Sequence, residues 1–177
     1  MEQKKKKIIG IPVSVVVVLI LYIFFHEMGH CIVAIACGAT ITDFSILTAH
    51  MSSVGGNYTE LSDLWLHANG AFFPIIVTYV YMLSYDKKRE NGFYRILSYF
   101  IAIIPACSLL AWVFIPIVYM TGNAPVGDDV TKFLYNFSSR YHPIYVSIAA
   151  LILIAVSVTI MVKKQILHNA MAEMKRK

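Results

Sequence analysis

Residues 8–37 read IIGIPVSVVVVLILYIFFHEMGHCIVAIAC, an apolar run with one compact ionisable group inside it, His26-Glu27-Met28-Gly29-His30. A helix that crosses a bilayer needs about 20 apolar residues, because the hydrocarbon core is about 30 Å thick and each residue adds about 1.5 Å. As one helix this run would reach about 45 Å, so it must tilt, protrude or break, with Gly29 and Gly38 as the places for a break.

Working outward, three more runs of spanning length follow, at 64–85, 96–120 and 141–162. Composition agrees: 58% of the 177 residues are hydrophobic and 14% charged, whereas soluble domains carry about a quarter charged. The expected fold class is an all-α membrane protein of about four transmembrane helices, with a short β-hairpin or re-entrant segment after the first. No internal repeat, low-complexity tract or soluble module is visible, so residues 1–177 read as a single integral membrane domain.

A net charge of +5 raises the question of nucleic acid, but thirteen of the fifteen basic residues flank the apolar runs. Lys4 to Lys7 precede the first run, Lys87, Lys88, Arg89 and Arg95 lie between the second and third, and Lys163, Lys164, Lys175, Arg176 and Lys177 follow the fourth. The connection 38–63 has no Lys or Arg. This pattern reports topology, with both termini cytoplasmic in a multi-pass protein of the cell membrane, and no nucleic-acid partner. The basic start is not read as a cleaved signal, since the apolar run is too long and lacks a small-residue cleavage site before the His pair. Cys31, Cys37 and Cys107 fall in apolar runs without metal-ligand spacing and read as small hydrophobes.

Between the runs, Ile41-Thr42-Asp43-Phe44-Ser45-Ile46-Leu47 alternates apolar and polar residues and leads to Gly55-Gly56-Asn57-Tyr58, which predicts a short strand or hairpin with a Gly turn. Pro74, Pro105 and Pro116 fall inside predicted spans, where each removes a backbone hydrogen bond and favours a kink and a cleft. After the loop 121–127, Asp128 or Asp129 offers an N-cap for a short helix through Phe137.

The chemistry sits in the first run. Residues four apart share a helix face, so His26 and His30 can present two imidazoles to one zinc ion, while Glu27, about 100° round the helix, addresses a water on that ion. Zinc lowers the pKa of such a water towards 7, and a neighbouring carboxylate can take its proton and deliver it to a leaving amine. The bland alternative is a set of core polar residues bonded to other helices, but three ionisable groups within five residues of an apolar helix are costly without a function. A catalytic zinc takes three protein ligands. Asp128 and Asp129, on the same side as the His pair in this topology, are the candidates for the third, and Asp129 is favoured; helix capping is the competing role for either. His67 and Asn69 could contact substrate, oxyanion or a zinc ligand, or serve packing between helices. His50, His142 and His168 read as solvated, and the tyrosines near Tyr79 to Tyr94 as interface anchors.

Phe25-His26-Glu27-Met28-Gly29-His30 in a membrane helix, with Gly127-Asp128-Asp129-Val130 before a later span, resembles the site-2 protease family of intramembrane zinc metallopeptidases, particularly its small members. The resemblance implies one zinc ion per chain, a third ligand from the later Asp, which favours Asp129, and a Gly-containing strand at Gly55 and Gly56 that receives substrate by strand addition. The chain departs from larger members in lacking the Asn-Pro-Asp-Gly form and any PDZ-like insertion. The expected activity is zinc endopeptidase cleavage of membrane-anchored protein segments in the bilayer, as in regulated intramembrane proteolysis. A non-catalytic zinc-binding scaffold, immunity or regulatory protein is the alternative, and a metal transporter ranks last because ionisable residues do not recur through several spans. A homo-oligomer is compatible with the sequence, which fixes no oligomeric state.

Overall fold

In hydrocarbon every backbone polar group must be satisfied within its own segment, so apolar runs of this length fold as helices. The computed structural model describes residues 2–176, with side chains from residue 9 onward; the side chains of Lys4 to Lys7, and Lys177, lie outside the described residues. Helix α1 spans Glu2–Ala36, α2 Glu60–Ser84, α3 Gly92–Tyr119 and α5 Ile144–Lys163, and each is long and apolar enough to cross a membrane, α1 over Ile9–Ala36. A strand pair, β1 (Ala39–Ser45) and β2 (His50–Gly55), follows α1, a short α4 (Asp129–Phe137) precedes α5, and α6 (Ile166–Lys175) follows it.

Of the outcomes that the length of the first run left open, a break at Gly29 does not occur. The helix runs through it and ends at Ala36, where Gly38 takes a left-handed conformation (φ +82°). Gly29 has another use: a Cβ there would strike the backbone carbonyl of Asn69, so its absence lets α1 and α2 approach backbone to backbone. α2 descends antiparallel to α1, with the His30 ring at Leu66, Gly29 at Asn69 and Phe25 against Phe73 (ring centroids 6.1 Å). Pro74, Pro105 and Pro116 are buried within α2 and α3, which are continuous through them.

The strands pair antiparallel, from Ala39 opposite Gly55 to Ser45 opposite His50, with an irregularity between Ile41 and Asp43. The turn is not at the glycines, as the sequence suggested. It lies at residues 46–49, where Ala49 takes positive φ (46°), while Gly55 and Gly56 (φ +75° and +89°) end the second strand and lead back to the top of α1 through Asn57 N–H donating to the Cys37 carbonyl (2.9 Å). Phe44 packs on Phe24 (6.0 Å), so the hairpin folds back along α1 towards the depth of the His pair.

Two apolar clusters close the ends of the bundle. At the end of the basic loops, Met82, Tyr85, Ala102, Met161 and Ile166 bury one another. Tyr85 there stacks on Tyr94 (5.2 Å), and Asn169 of α6 donates to the Tyr85 hydroxyl and the Lys87 carbonyl. At the opposite end Val130 and Leu134 of α4 pack on Val146 of α5 beneath Trp112 and Phe133.

Candidate metal centre

His26 and His30 lie on one face of α1, one turn apart, as their spacing requires. The loop 120–128 then returns the chain so that α4 starts against them. Asp128 caps that helix, its Oδ1 accepting from the Val130 N–H (2.8 Å), which leaves the next residue, Asp129, to point inward. The two aspartates thus divide the roles the sequence left open.

Asp129 Oδ2 stands 3.2 Å from His26 Nε2 and 3.1 Å from His30 Nε2, and the two imidazole nitrogens are 3.2 Å apart. A tetrahedral zinc with ligands at about 2.0–2.1 Å sets its ligand atoms about 3.3 Å from one another. The triangle therefore has the edge length of one face of such a tetrahedron, and its three atoms could hold one metal ion.

Proton placement is compatible with a metal ion between the three groups. His30 Nδ1 lies 2.6 Å from the Leu66 carbonyl, which can only accept, so Nδ1 carries the proton and donates. In the neutral ring Nε2 is then a lone pair, and it faces the Asp129 carboxylate at 3.1 Å. Two acceptors at that distance need a proton or a metal ion between them, and a metal-bound histidine that donates its other nitrogen to a carbonyl is a usual arrangement. His26 Nδ1 is buried without a hydrogen-bond partner among the described residues. Gly70 supplies the space: a Cβ there would press on the His30 ring and come within 2.9 Å of His26 Cε1.

Around the triangle lies a polar layer. His67 Nδ1 is 3.8 Å from Asp129 Oδ1 and its Nε2 3.8 Å from Asp63 Oδ1, while Asp63 accepts from Asn136 Nδ2 (2.6 Å). Lys132 Nζ is 4.0 Å from Asp129 Oδ1. Burial raises the Asp129 carboxyl, but its interactions with His26, His30 and His67 prevail and hold it well below the usual carboxylate range, ionised as a ligand must be.

Of the other residues singled out in the sequence, Glu27 is buried on α1 beside the triangle's two histidines. Asn69 is engaged as a tie between helices, its Nδ2 donating to the Gly29 carbonyl (2.7 Å). His67 sits against Asp129. Gly55 and Gly56 lie at the root of the hairpin, near Cys37, about 10 Å along α1 from His30. Asp63 and Asn136 were not anticipated; the spacing of Asp63 and His67, four apart on one face of α2, is the signal that could have found the first. Set against family models, curated proteins and solved structures, the chain matches none, and the functional reading rests on the site's own geometry.

Proposed function

We propose that the chain is an intramembrane zinc endopeptidase of the site-2 protease kind, acting on membrane-anchored protein segments. His26, His30 and Asp129 are its metal ligands and Glu27 its general base; it resides in the cell membrane with both termini cytoplasmic. The observation that supports this best is the triangle of ligand atoms, closed between residues about a hundred positions apart in the chain.

Zinc bound there would acidify a water and polarise the scissile carbonyl. The protein's own groups do the rest. Glu27 takes the proton from the attacking water and returns it to the leaving amine nitrogen, and its burial keeps that carboxylate out of competition with bulk water. Leu66, through its carbonyl, fixes the tautomer and orientation of His30. His67 and Lys132 face the outer oxygen of Asp129 and limit its rotation away from the histidines. A substrate helix must unwind before its carbonyl can enter, because helical peptide bonds are already hydrogen-bonded, so helix-breaking residues in a substrate promote cleavage.

The test measures zinc per chain in detergent and cleavage of tagged single-span segments carrying helix-breaking residues. The unaltered chain should hold about one zinc and cleave; Glu27→Ala should keep the zinc and lose cleavage. Zinc binding with no cleavage by the unaltered chain would move the reading to a non-catalytic zinc protein, and no zinc at all would end it.

A further inference from the structure

Helix α2 shows different things to its two sides. Asp63, His67 and Gly70 face the metal centre, whereas Trp65, Ala68 and Phe72 line a cavity of about 490 Å³ between α2 and α5. Trp112 of α3 backs it, Phe133 of α4 roofs it and Ala149 of α5 bounds the far side, and every lining residue is Ala, Val, Leu, Phe, Trp or Tyr. We propose that this groove is a binding site for a single hydrocarbon chain of a membrane lipid.

Dimensions decide between occupants. The α2 residues of the lining run from Leu61 to Phe72, a rise of about 16 Å, which is half of a 30 Å hydrocarbon core and so one leaflet. Over that height 490 Å³ gives a cross-section of about 30 Å², whereas a helix 10–12 Å across needs roughly 80–110 Å². A transmembrane segment of another protein is too wide. A single file of methylenes, whose carbons hold their neighbours about 4 Å away, is the right width.

The polar boundary lies where a headgroup would. The Arg140 guanidinium pairs with Glu60, next in the chain to Leu61 and Tyr141, and Tyr141 and Tyr145 are exposed at the rim, as aromatic side chains are at the level of lipid headgroups. Phe133, which the chain would touch, lies on the same helix as Asp129, so an occupied groove also holds α4 against the bundle. The proposal does not depend on the metal reading.

The test uses the chain's two tryptophans, both of which line the groove. In Trp65→Phe, Trp112 is the sole reporter; the full chain is reconstituted in vesicles of phosphatidylcholine with brominated or unbrominated acyl chains. Bromine quenches only at contact, so Trp112 should lose most of its emission in the brominated vesicles. A plug, Ala149→Phe or the milder Ala149→Leu, should restore that emission, while Ala155→Phe, exposed on α5 outside the groove, should not. Trp112 emission indifferent to bromine would overturn the proposal, and so would equal quenching with and without a folded plug, which would mean contact with surrounding lipid only. If neither plug folds, lipid retained by the unaltered chain in native mass spectrometry decides: a stoichiometric phospholipid supports the groove, and a bare chain refutes it.

Discussion

The two ends of the helix bundle differ in what they enclose. At the end of the basic loops, Met82 and Ile166 have no solvent-exposed surface and Tyr85 is stacked and hydrogen-bonded, so side chains fill the space between α2, α3, α5 and α6. At the other end His26 and Asp129 keep about a quarter of their side-chain surface open, glycines bring α1 and α2 together, and a groove separates α2 from α5. One end is packed throughout, and the other combines the α4 cluster of Val130 and Leu134 with polar groups and a groove. Stability and chemistry should therefore respond to different substitutions.

The largest expected effect is at the polar end. His30→Ala or Asp129→Ala should take zinc from about one per chain to none, with thermal unfolding in detergent close to that of the metal-free unaltered chain. Coupled loss of zinc and fold would break the comparison. Gly70→Ala comes next, because its methyl group presses on both imidazoles; zinc should fall sharply by metal analysis while helix content by circular dichroism holds. At the packed end, Met82→Ala should cost about 2–5 kcal/mol in an unfolding titration and leave zinc per chain unchanged. His67→Ala sharpens the polar end: losing a neighbour of a ligand should weaken zinc about 10–100-fold in a chelator competition. The smallest effect belongs to Asp128→Ala, which removes a helix cap worth about 1 kcal/mol and should retain zinc, separating capping from ligation in adjacent residues.

Much of this was legible in the sequence because the bilayer imposes strong rules. Apolar runs of spanning length became helices, although each began or ended a few residues from its expected limits, and the short helix through Phe137 formed where a capping Asp marked it. His26 and His30 share a face because of their spacing on a helix, and Asp129, singled out as the start of a short helix, is brought against them; Asp63 and Asn136 beside them were not anticipated. The turn of the hairpin was missed because residues 46–49 contain no glycine, and Ala49 takes the left-handed conformation that glycine usually supplies. Helix α6 was missed because its buried face, Ile166, Asn169, Ala170 and Glu173, is half polar and shows no apolar period, and because it starts after a left-handed Gln165 instead of a capping residue. Asp63 escaped notice because the expected span began at residue 64 and left it in the connection, whereas α2 starts at Glu60.

The hairpin that folds back along α1 has a further consequence, for water. Each of its two strands pairs on one side only, leaving N–H and C=O groups along the other edges, and Thr40, Thr42 and Asp43 are exposed there. Lipid cannot satisfy such groups, and non-helical backbone at membrane depth is tolerated only against protein or a water-filled cavity. Phe44 reaches Phe24, within one helical turn of His26, so where the hairpin lies at membrane depth its free edges call for water or a further protein strand beside α1. The free edges of the strand pair thus give α1 a polar flank beside His26, opposite in character to the apolar faces of the spanning helices.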